Sequence, residues 1–174
     1  MLVKTFCAAV NGLEVTTVTV EISMTRGVQF HLTGLADTAV KESVDRIKAA
    51  LTNDGFKIPV METTVNLSPA DIKKEGSGYD LPLAVGLLAA NSNVDSTRLP
   101  RFMMVGEVGL DGSLLPVRGI LPIAIRARAE HFEGLIVPYQ NVREAAVVNN
   151  INIYGMTTLM DVVNFFNGDT SYQP

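Results

Sequence analysis

The sequence is poor in cysteine and histidine, and it has no excess of positive charge. A single cysteine, Cys7, excludes an internal disulfide and is typical of a reducing compartment. His31 and His131 are far apart and have no second ligand at metal-binding spacing, so no zinc motif is predicted. With 14 Lys and Arg against 18 Asp and Glu, the formal net charge is -4. No overall field therefore attracts a polyanion such as nucleic acid.

Long apolar runs are also absent. The most apolar stretch, LPLAVGLLAA at 81–90, is far shorter than the roughly 20 residues that a membrane-spanning helix needs. The short apolar run at the N-terminus passes directly into a strand-like segment, so no targeting segment is predicted. A chain of 174 residues that is 47% hydrophobic suits one well-buried core. We expect a single soluble, cytoplasmic domain with no membrane contact.

The first part of the chain has extended character and then changes to helical spacing. TFCAAV, LEVTTVTVEIS and VQFHLTG are apolar or β-branched and are separated by glycine turns, which predicts an N-terminal antiparallel meander. Apolar residues then recur at helical spacing from Val40 to Leu51, and Asn53-Asp54-Gly55 ends that helix.

The remainder alternates between strands and helices, which predicts βαβ crossovers and parallel pairing. The fold class is therefore α/β, with both antiparallel and parallel parts. We assign residues 1–166 to the domain and 167–174 to a polar tail or linker. The predicted elements are a strand at 63–69, an apolar helix at 81–90, a hairpin turning at Asp111-Gly112, a helix at 119–132, a strand at 135–138, a helix from Asn141, a strand at 151–156 and a helix at 158–166.

The loop KKEGSGYDLP at 73–82 has three readings. A phosphate cradle needs GxxxxGK followed by Ser or Thr, and this spacing is absent from the chain. A nucleophilic serine at a helix start fits Ser77, but it needs a neutral base elsewhere. The structural reading is a glycine-rich turn before Asp80, which caps a helix containing Pro82 in its first turn. The carboxylates Asp71, Glu75 and Asp80 match no calcium or magnesium motif.

Long stretches of the sequence carry a family resemblance. TVNLSPADIKKEGSGYDLPLAVGLLAA, MVGEVGLDGSLLPVRGILPIAIRARA and GLADTAVKESVDRIKAAL resemble the N-terminal domain of the ComM/YifB proteins, the magnesium chelatase-like, competence-related AAA+ ATPases. The resemblance covers essentially the whole chain. It implies a ChlI-type domain that is similar to the proteolytic domain of Lon and to a domain of the RadA proteins. The implied fold is of the ribosomal-protein domain 2-like type.

The Lon likeness implies where an active site would lie. In Lon the loop resembles KDGPSAG, with the serine as nucleophile, and a later segment resembles GEVLPIGGLKEK, with its first lysine as partner. Laid on this chain without gaps, Gly78 takes the nucleophile position and Leu121 the lysine position, while Ser77 lies one position early. Leucine accepts no proton, and the nearby Arg118 stays protonated at ordinary pH. We therefore predict no catalytic residue in this chain.

The resemblance implies a non-catalytic accessory domain of a ring-forming AAA+ ATPase connected to DNA branch migration during transformation. The chain has no Walker A sequence, so ATP and magnesium are expected in a separate ATPase module and no cofactor in this chain. The expected partners are that module, further copies of the same protein and DNA. The residues predicted to make these contacts are the charged ones in and after the loop: Lys73, Lys74, Glu75, Arg118, Arg126 and Arg128.

Two alternatives stay open at this point. A residual Ser-Lys peptidase would use Ser77 and would need a base that the alignment does not supply. A stand-alone nucleic-acid-binding domain would need one basic patch and a steep salt dependence. That patch would have to join Lys73, Lys74, Arg118, Arg126 and Arg128.

Overall fold

The computed structural model describes residues 1–174, which form a central sheet, a small hairpin and five α-helices. Short 3₁₀ turns lie at Leu99–Arg101 and Tyr139–Asn141. The strands are β1 (Leu2–Asn11), β2 (Glu14–Thr25), β3 (Phe30–Thr33), β4 (Glu62–Ser68), β5 (Phe102–Met104), β6 (Glu107–Val108), β7 (Leu114–Leu115), β8 (Gly134–Pro138) and β9 (Asn152–Met156). The helices are α1 (Thr38–Asn53), α2 (Asp80–Ala90), α3 (Ile120–Ala129), α4 (Val142–Ala145) and α5 (Leu159–Phe166).

Seven strands form one mixed sheet in the order β3-β4-β2-β1-β5-β8-β9, and β6 pairs with β7 as the separate hairpin. The neighbours β1–β2 and β2–β4 are antiparallel, whereas the other four pairs are parallel. This arrangement confirms the α/β class. In one detail it differs from the predicted meander, because β3 pairs with β4 rather than with β2. The helix α1 connects β3 to β4, and such a crossover returns the chain in the parallel direction.

The helix α2 lies at the centre of the molecule, and all eleven of its residues are buried. Its almost wholly apolar composition predicted this position, since it has no polar face to offer to water. Gly86 lets α2 approach β2 closely, because a Cβ there would lie 2.5 Å from Ile22 Cδ1. The hydroxyl of Thr5 donates to the carbonyl of Pro82 at 2.9 Å. The start of α2 is thereby fixed above β1.

The strands β1 and β5 are joined by a single residue pair, Phe6 with Met103. Beyond it, β1 continues beside β2 as far as Asn11, whereas β5 ends. The next amides turn away from β1: Val105 donates to Ile136 and Gly106 to Gly78. A cleft therefore opens at the carboxyl ends of two parallel neighbours, which is where open α/β sheets bind ligands.

The sequence predicted the start of α5 correctly, but it placed the end of α3 too late. The helix α5 begins after Thr158, as predicted, because Thr158 and Asp161 form a capping box. The helix α3 ends at Ala129, before the predicted residue 132, because His131 takes a left-handed backbone conformation with φ of 62°. The turn is closed by the Phe132 amide, which donates to Ala127 at 3.1 Å.

The C-terminal residues fold back on α5. The hydroxyl of Tyr172 donates to Asp161 at 2.9 Å, and its ring packs edge-on against Phe165. Since α5 ends at Phe166, the predicted boundary at residue 166 coincides with the end of a helix, and the linker role of 167–174 stays a prediction. None of the helices combines the length and the apolar composition needed to cross a membrane.

Candidate functional site

The cleft between β1 and the start of α2 has a volume of about 590 Å³. Three short stretches form most of its wall: Cys7–Val10 of β1, Gly76–Tyr79 of the loop before α2, and Pro116–Arg118 after β7. The loop that the sequence singled out therefore faces this cavity. We refer to this cavity as the cleft.

The loop is held from behind by Asp80, the first residue of α2, which is fully buried. Its carboxylate accepts hydrogen bonds from Arg46 Nε at 3.1 Å and Nη2 at 3.0 Å. It also accepts from the Val108 amide at 3.1 Å. The hydrogen bonds from Arg46 to Asp80 raise the pKa of Arg46. The prediction that Asp80 caps α2 is therefore wrong, because its side chain binds α1 and β6 while Tyr79 occupies the cap position without a side-chain bond.

Lys74 also lies behind the loop, and its exposed fraction is 0%. Its ammonium donates to the carbonyl of Gly34 at 2.7 Å and to that of Pro69. Its backbone exchanges hydrogen bonds with Leu35 and Asp37. Burial lowers the pKa of Lys74. The prediction that Lys74 contacts a partner or DNA needs correction, because its side chain is inside the protein and satisfied there.

Three of the residues predicted to make contacts, Lys73, Glu75 and Arg118, line the cleft, and their contact role stays a prediction. Lys73 and Glu75 form an exposed ion pair at 3.2 Å. The carboxylate of Asp37 lines the same cavity and accepts from the amides of Val40 at 2.8 Å and Gly76 at 3.3 Å. Arg118 is exposed and forms no ion pair.

The other two arginines lie on α3, away from the cleft. Arg126 pairs with Glu130 at 2.7 Å and approaches the Thr17 hydroxyl at 3.4 Å. Arg128 is exposed in the last turn of α3, one residue before the helix ends. Because Lys74 is buried, the five predicted cations do not form one exposed patch.

Ser77 lines the cleft, but its hydroxyl has no hydrogen-bond partner within the protein. Gly78, at the position of the Lon nucleophile, uses its carbonyl to accept from the Gly106 amide. Leu121 lies half-buried in the first turn of α3 and does not line the cleft. Burial raises the pKa of the Cys7 thiol to about 12, so this neighbour stays neutral and unreactive.

One further polar group was not predicted from the sequence. The Oδ2 atom of Asp54 is buried without a hydrogen-bond partner, close to Gly112. Burial, with a smaller contribution from the charge of Asp111, raises the pKa of Asp54. Neither this group nor the Arg46–Asp80 pair has a signal in sequence spacing, because both depend on which loops the fold brings together.

A protein family and two relatives match most of the chain. The family described as subunit ChlI of Mg-chelatase matches residues 20–141. Competence protein ComM of Haemophilus influenzae is 43% identical over 158 residues, which cover 90% of this chain and 31% of ComM. The Escherichia coli protein YifB is 35% identical over 158 residues, which cover 90% of this chain and 31% of YifB.

A weaker similarity joins the chain to a protease. Lon protease 2 of Bacillus subtilis is 25% identical over 127 residues, which cover 71% of this chain and 22% of the protease. The chain spans about a third of the length of the ComM and YifB relatives.

Proposed function

Because the chain belongs to the family of the ChlI subunit of Mg-chelatase, we propose that it is a non-catalytic accessory domain of a ComM-type AAA+ ATPase. In this proposal ATP and magnesium bind to a separate ATPase module, and the domain contributes to assembly of that ATPase. The task proposed for the whole protein is branch migration of DNA, which the family resemblance in the sequence implies; one relative is named as a competence protein.

The observation that carries the non-catalytic role is the lack of a base beside Ser77. A serine nucleophile needs a neutral group that can take its proton at hydrogen-bond distance. The lysine whose pKa is lowered, Lys74, is bonded to two carbonyls behind the loop. Lys73, the lysine in the cleft, is exposed, and its ammonium is paired with the carboxylate of Glu75 at 3.2 Å and makes no hydrogen bond to Ser77. Leu121 supplies no base at the aligned position.

The experiment for this step is labelling with a fluorophosphonate probe that reacts with activated serines. We expect no labelling of Ser77 above that of denatured protein, and no release of peptides from casein. The Ser77→Ala variant is the matched control. Labelling of the folded protein that this variant loses would contradict the proposal, because it would show that Ser77 is activated.

Assembly is favoured over DNA contact by the charge around the cleft. Lys73 and Arg118 face two acids there, Asp37 and Glu75, so the cleft has no net positive charge. DNA binding depends on a local excess of cations that displace counterions from phosphates. DNA contact is the second candidate, since Lys73, Arg118 and Arg128 are all exposed.

A salt series with single-stranded, duplex and branched DNA separates the two candidates. The informative variant is Lys73→Ala/Arg118→Ala, because both side chains are exposed, whereas Lys74→Ala would disturb the fold. We expect no binding at low salt for either protein. Binding that falls steeply with salt and is lost in this variant would replace assembly with DNA contact as the role of the domain.

A further inference from the structure

We propose that the cleft binds an extended acidic peptide segment of another protein, which adds as a strand to the open edge of β1 and is not cut. This inference rests on the proposed non-catalytic role and names the kind of partner that the domain would hold. Its physical basis is the combination of an unpaired strand edge, a cavity beside it and one unmatched cation.

The strand edge is the first part of the argument. Residues 8–10 of β1 pair on one side with Thr17, Thr16 and Val15 of β2. On the other side β5 has already ended, and the backbone of these three residues makes no hydrogen bond there apart from a weak contact of the Cys7 thiol with the Ala8 carbonyl at 3.9 Å. An open edge of this kind is a template for another strand.

The wall opposite this edge is suited to close approach of a backbone. Gly78 has no side chain, and the amides of Ser77 and Gly78 donate to no group in the protein. On the β1 side, Ala8 and Ala9 present only methyl groups. The cavity volume of about 590 Å³ lies within the range of roughly 300–1,000 Å³ seen for ligand sites. Only an extended peptide offers alternating N–H and C=O groups that match a strand edge.

The charges select an acidic segment. Lys73 is already paired with Glu75, and the Asp37 carboxylate accepts two backbone hydrogen bonds. Arg118 is the one charged residue of the cleft that has no partner. A carboxylate on the bound segment would match its guanidinium, which suits bidentate pairing.

Fluorescence anisotropy with a defined peptide tests the proposal. The probe is a fluorescein-labelled octapeptide of alternating valine and glutamate, and its partner peptide has glutamine in place of glutamate. We expect the acidic peptide to bind about tenfold more tightly than the neutral one to the 174-residue chain, because one charge pair at a partly exposed site separates them. Arg118→Glu should remove that preference.

The matched control is Arg128→Glu, which makes the same charge change at an exposed position outside the cleft. A second variant, Gly78→Leu, fills the cavity: a Cβ at Gly78 meets only Val117 Cγ1 at 3.6 Å, so the side chain enters the cleft without strain at its Cβ. We expect Arg128→Glu to bind normally and Gly78→Leu not to bind. Slower amide hydrogen exchange at residues 8–10 would confirm strand addition.

Three outcomes would overturn the inference: no binding of the acidic peptide, equal losses in Arg118→Glu and Arg128→Glu, or full competition by an oligonucleotide of equal charge. Each of these leaves the non-catalytic role untouched. Mass spectrometry of the bound peptide tests that role separately. A cleaved peptide, with cleavage lost in Ser77→Ala, would refute the non-catalytic role even if the peptide binds.

Discussion

Polar groups on the two sides of the loop at 73–80 differ in whether they have hydrogen-bond partners within the protein. Behind the loop, the buried charges of Lys74 and Asp80 each have two or more hydrogen-bond partners. Facing the cleft, Ser77 and Arg118 have none, and Lys73 has one exposed ion pair. We call the first pair of residues the rear anchor.

The difference separates structural polarity from polarity that is free to bind. A buried charge without partners is costly, so the rear anchor can persist only because every bond is made. Groups facing the cleft are solvated, and water is their partner until a ligand replaces it. The rear anchor holds the loop in place, and the side chains of Ser77 and Arg118, which face the cleft, have no partner in the protein. Such a loop is preorganised for binding.

The largest expected effect comes from breaking the rear anchor. Arg46→Ala leaves the buried Asp80 carboxylate without its charged partner, which should lower the free energy of unfolding by about 3–5 kcal/mol. Urea denaturation measures it. The control is Glu42→Ala, which removes an exposed neighbour 3.9 Å from Arg46 and should cost less than about 0.5 kcal/mol. Similar losses in the two variants would mean that Asp80 is not anchored by Arg46.

Adjacent lysines provide the next test of the comparison. Lys74→Met removes the donor from the Gly34 and Pro69 carbonyls and should cost about 1–3 kcal/mol. Lys73→Met changes an exposed side chain and should stay within about 0.5 kcal/mol of the wild type. Both are measured by urea denaturation at one pH. A larger loss for Lys73→Met would reverse the assignment of inner and outer lysine.

Asp54 is half-buried, and its buried Oδ2 atom lacks the partners found in the rear anchor. Its pKa is raised in the folded protein, so the unfolded chain loses this proton at lower pH and ionisation destabilises the fold as pH rises. Asp54→Asn removes this cost, and we expect a rise in Tm of about 2 °C at pH 7.

The stability gain of Asp54→Asn can be compared at different pH values, which provides its control. Below about pH 4 both states of the wild type hold the proton, so the advantage of Asp54→Asn should disappear there. Thermal unfolding across pH 3–8 records the difference. A gain that is constant with pH would assign the effect to packing and not to charge.

The smallest effect is expected on the cleft side. Ser77→Ala removes a hydroxyl that makes no hydrogen bond in the protein, so the free energy of unfolding should change by less than about 0.5 kcal/mol. Chemical denaturation beside the wild type measures it. A loss above 1.5 kcal/mol would show that Ser77 belongs with the rear anchor, and the two sides of the loop would no longer differ.

Local signals in the sequence were sufficient for most helices and strands. The helices predicted at 81–90 and 158–166 match α2 and α5 closely, because the signals that favour and begin a helix act within a few residues. The position of β3 was not predictable in the same way. Its strand character is local, but its parallel pairing with β4 depends on the path of α1.

The candidate site was predictable as a location and not as a set of contacts. Family resemblance pointed to the loop at 73–82, and the structure places the cleft there. Two neighbouring lysines look alike in sequence, yet Lys74 is buried and Lys73 is exposed, because only Lys74 pairs with Ala36 across the loop. The partners of Asp80 lie 34 and 28 residues away, beyond the reach of any periodic pattern.

The single pair that joins β1 to β5 divides the sheet into a half with four strands and a half with three. In mechanical terms, each half is a stiff plate, and the junction between them is the compliant line. A load across the sheet would be carried there by α2 and side-chain packing, since almost no hydrogen-bond ladder crosses it. Under tension the domain would yield first along this line, and the cleft would widen while both plates kept their shape.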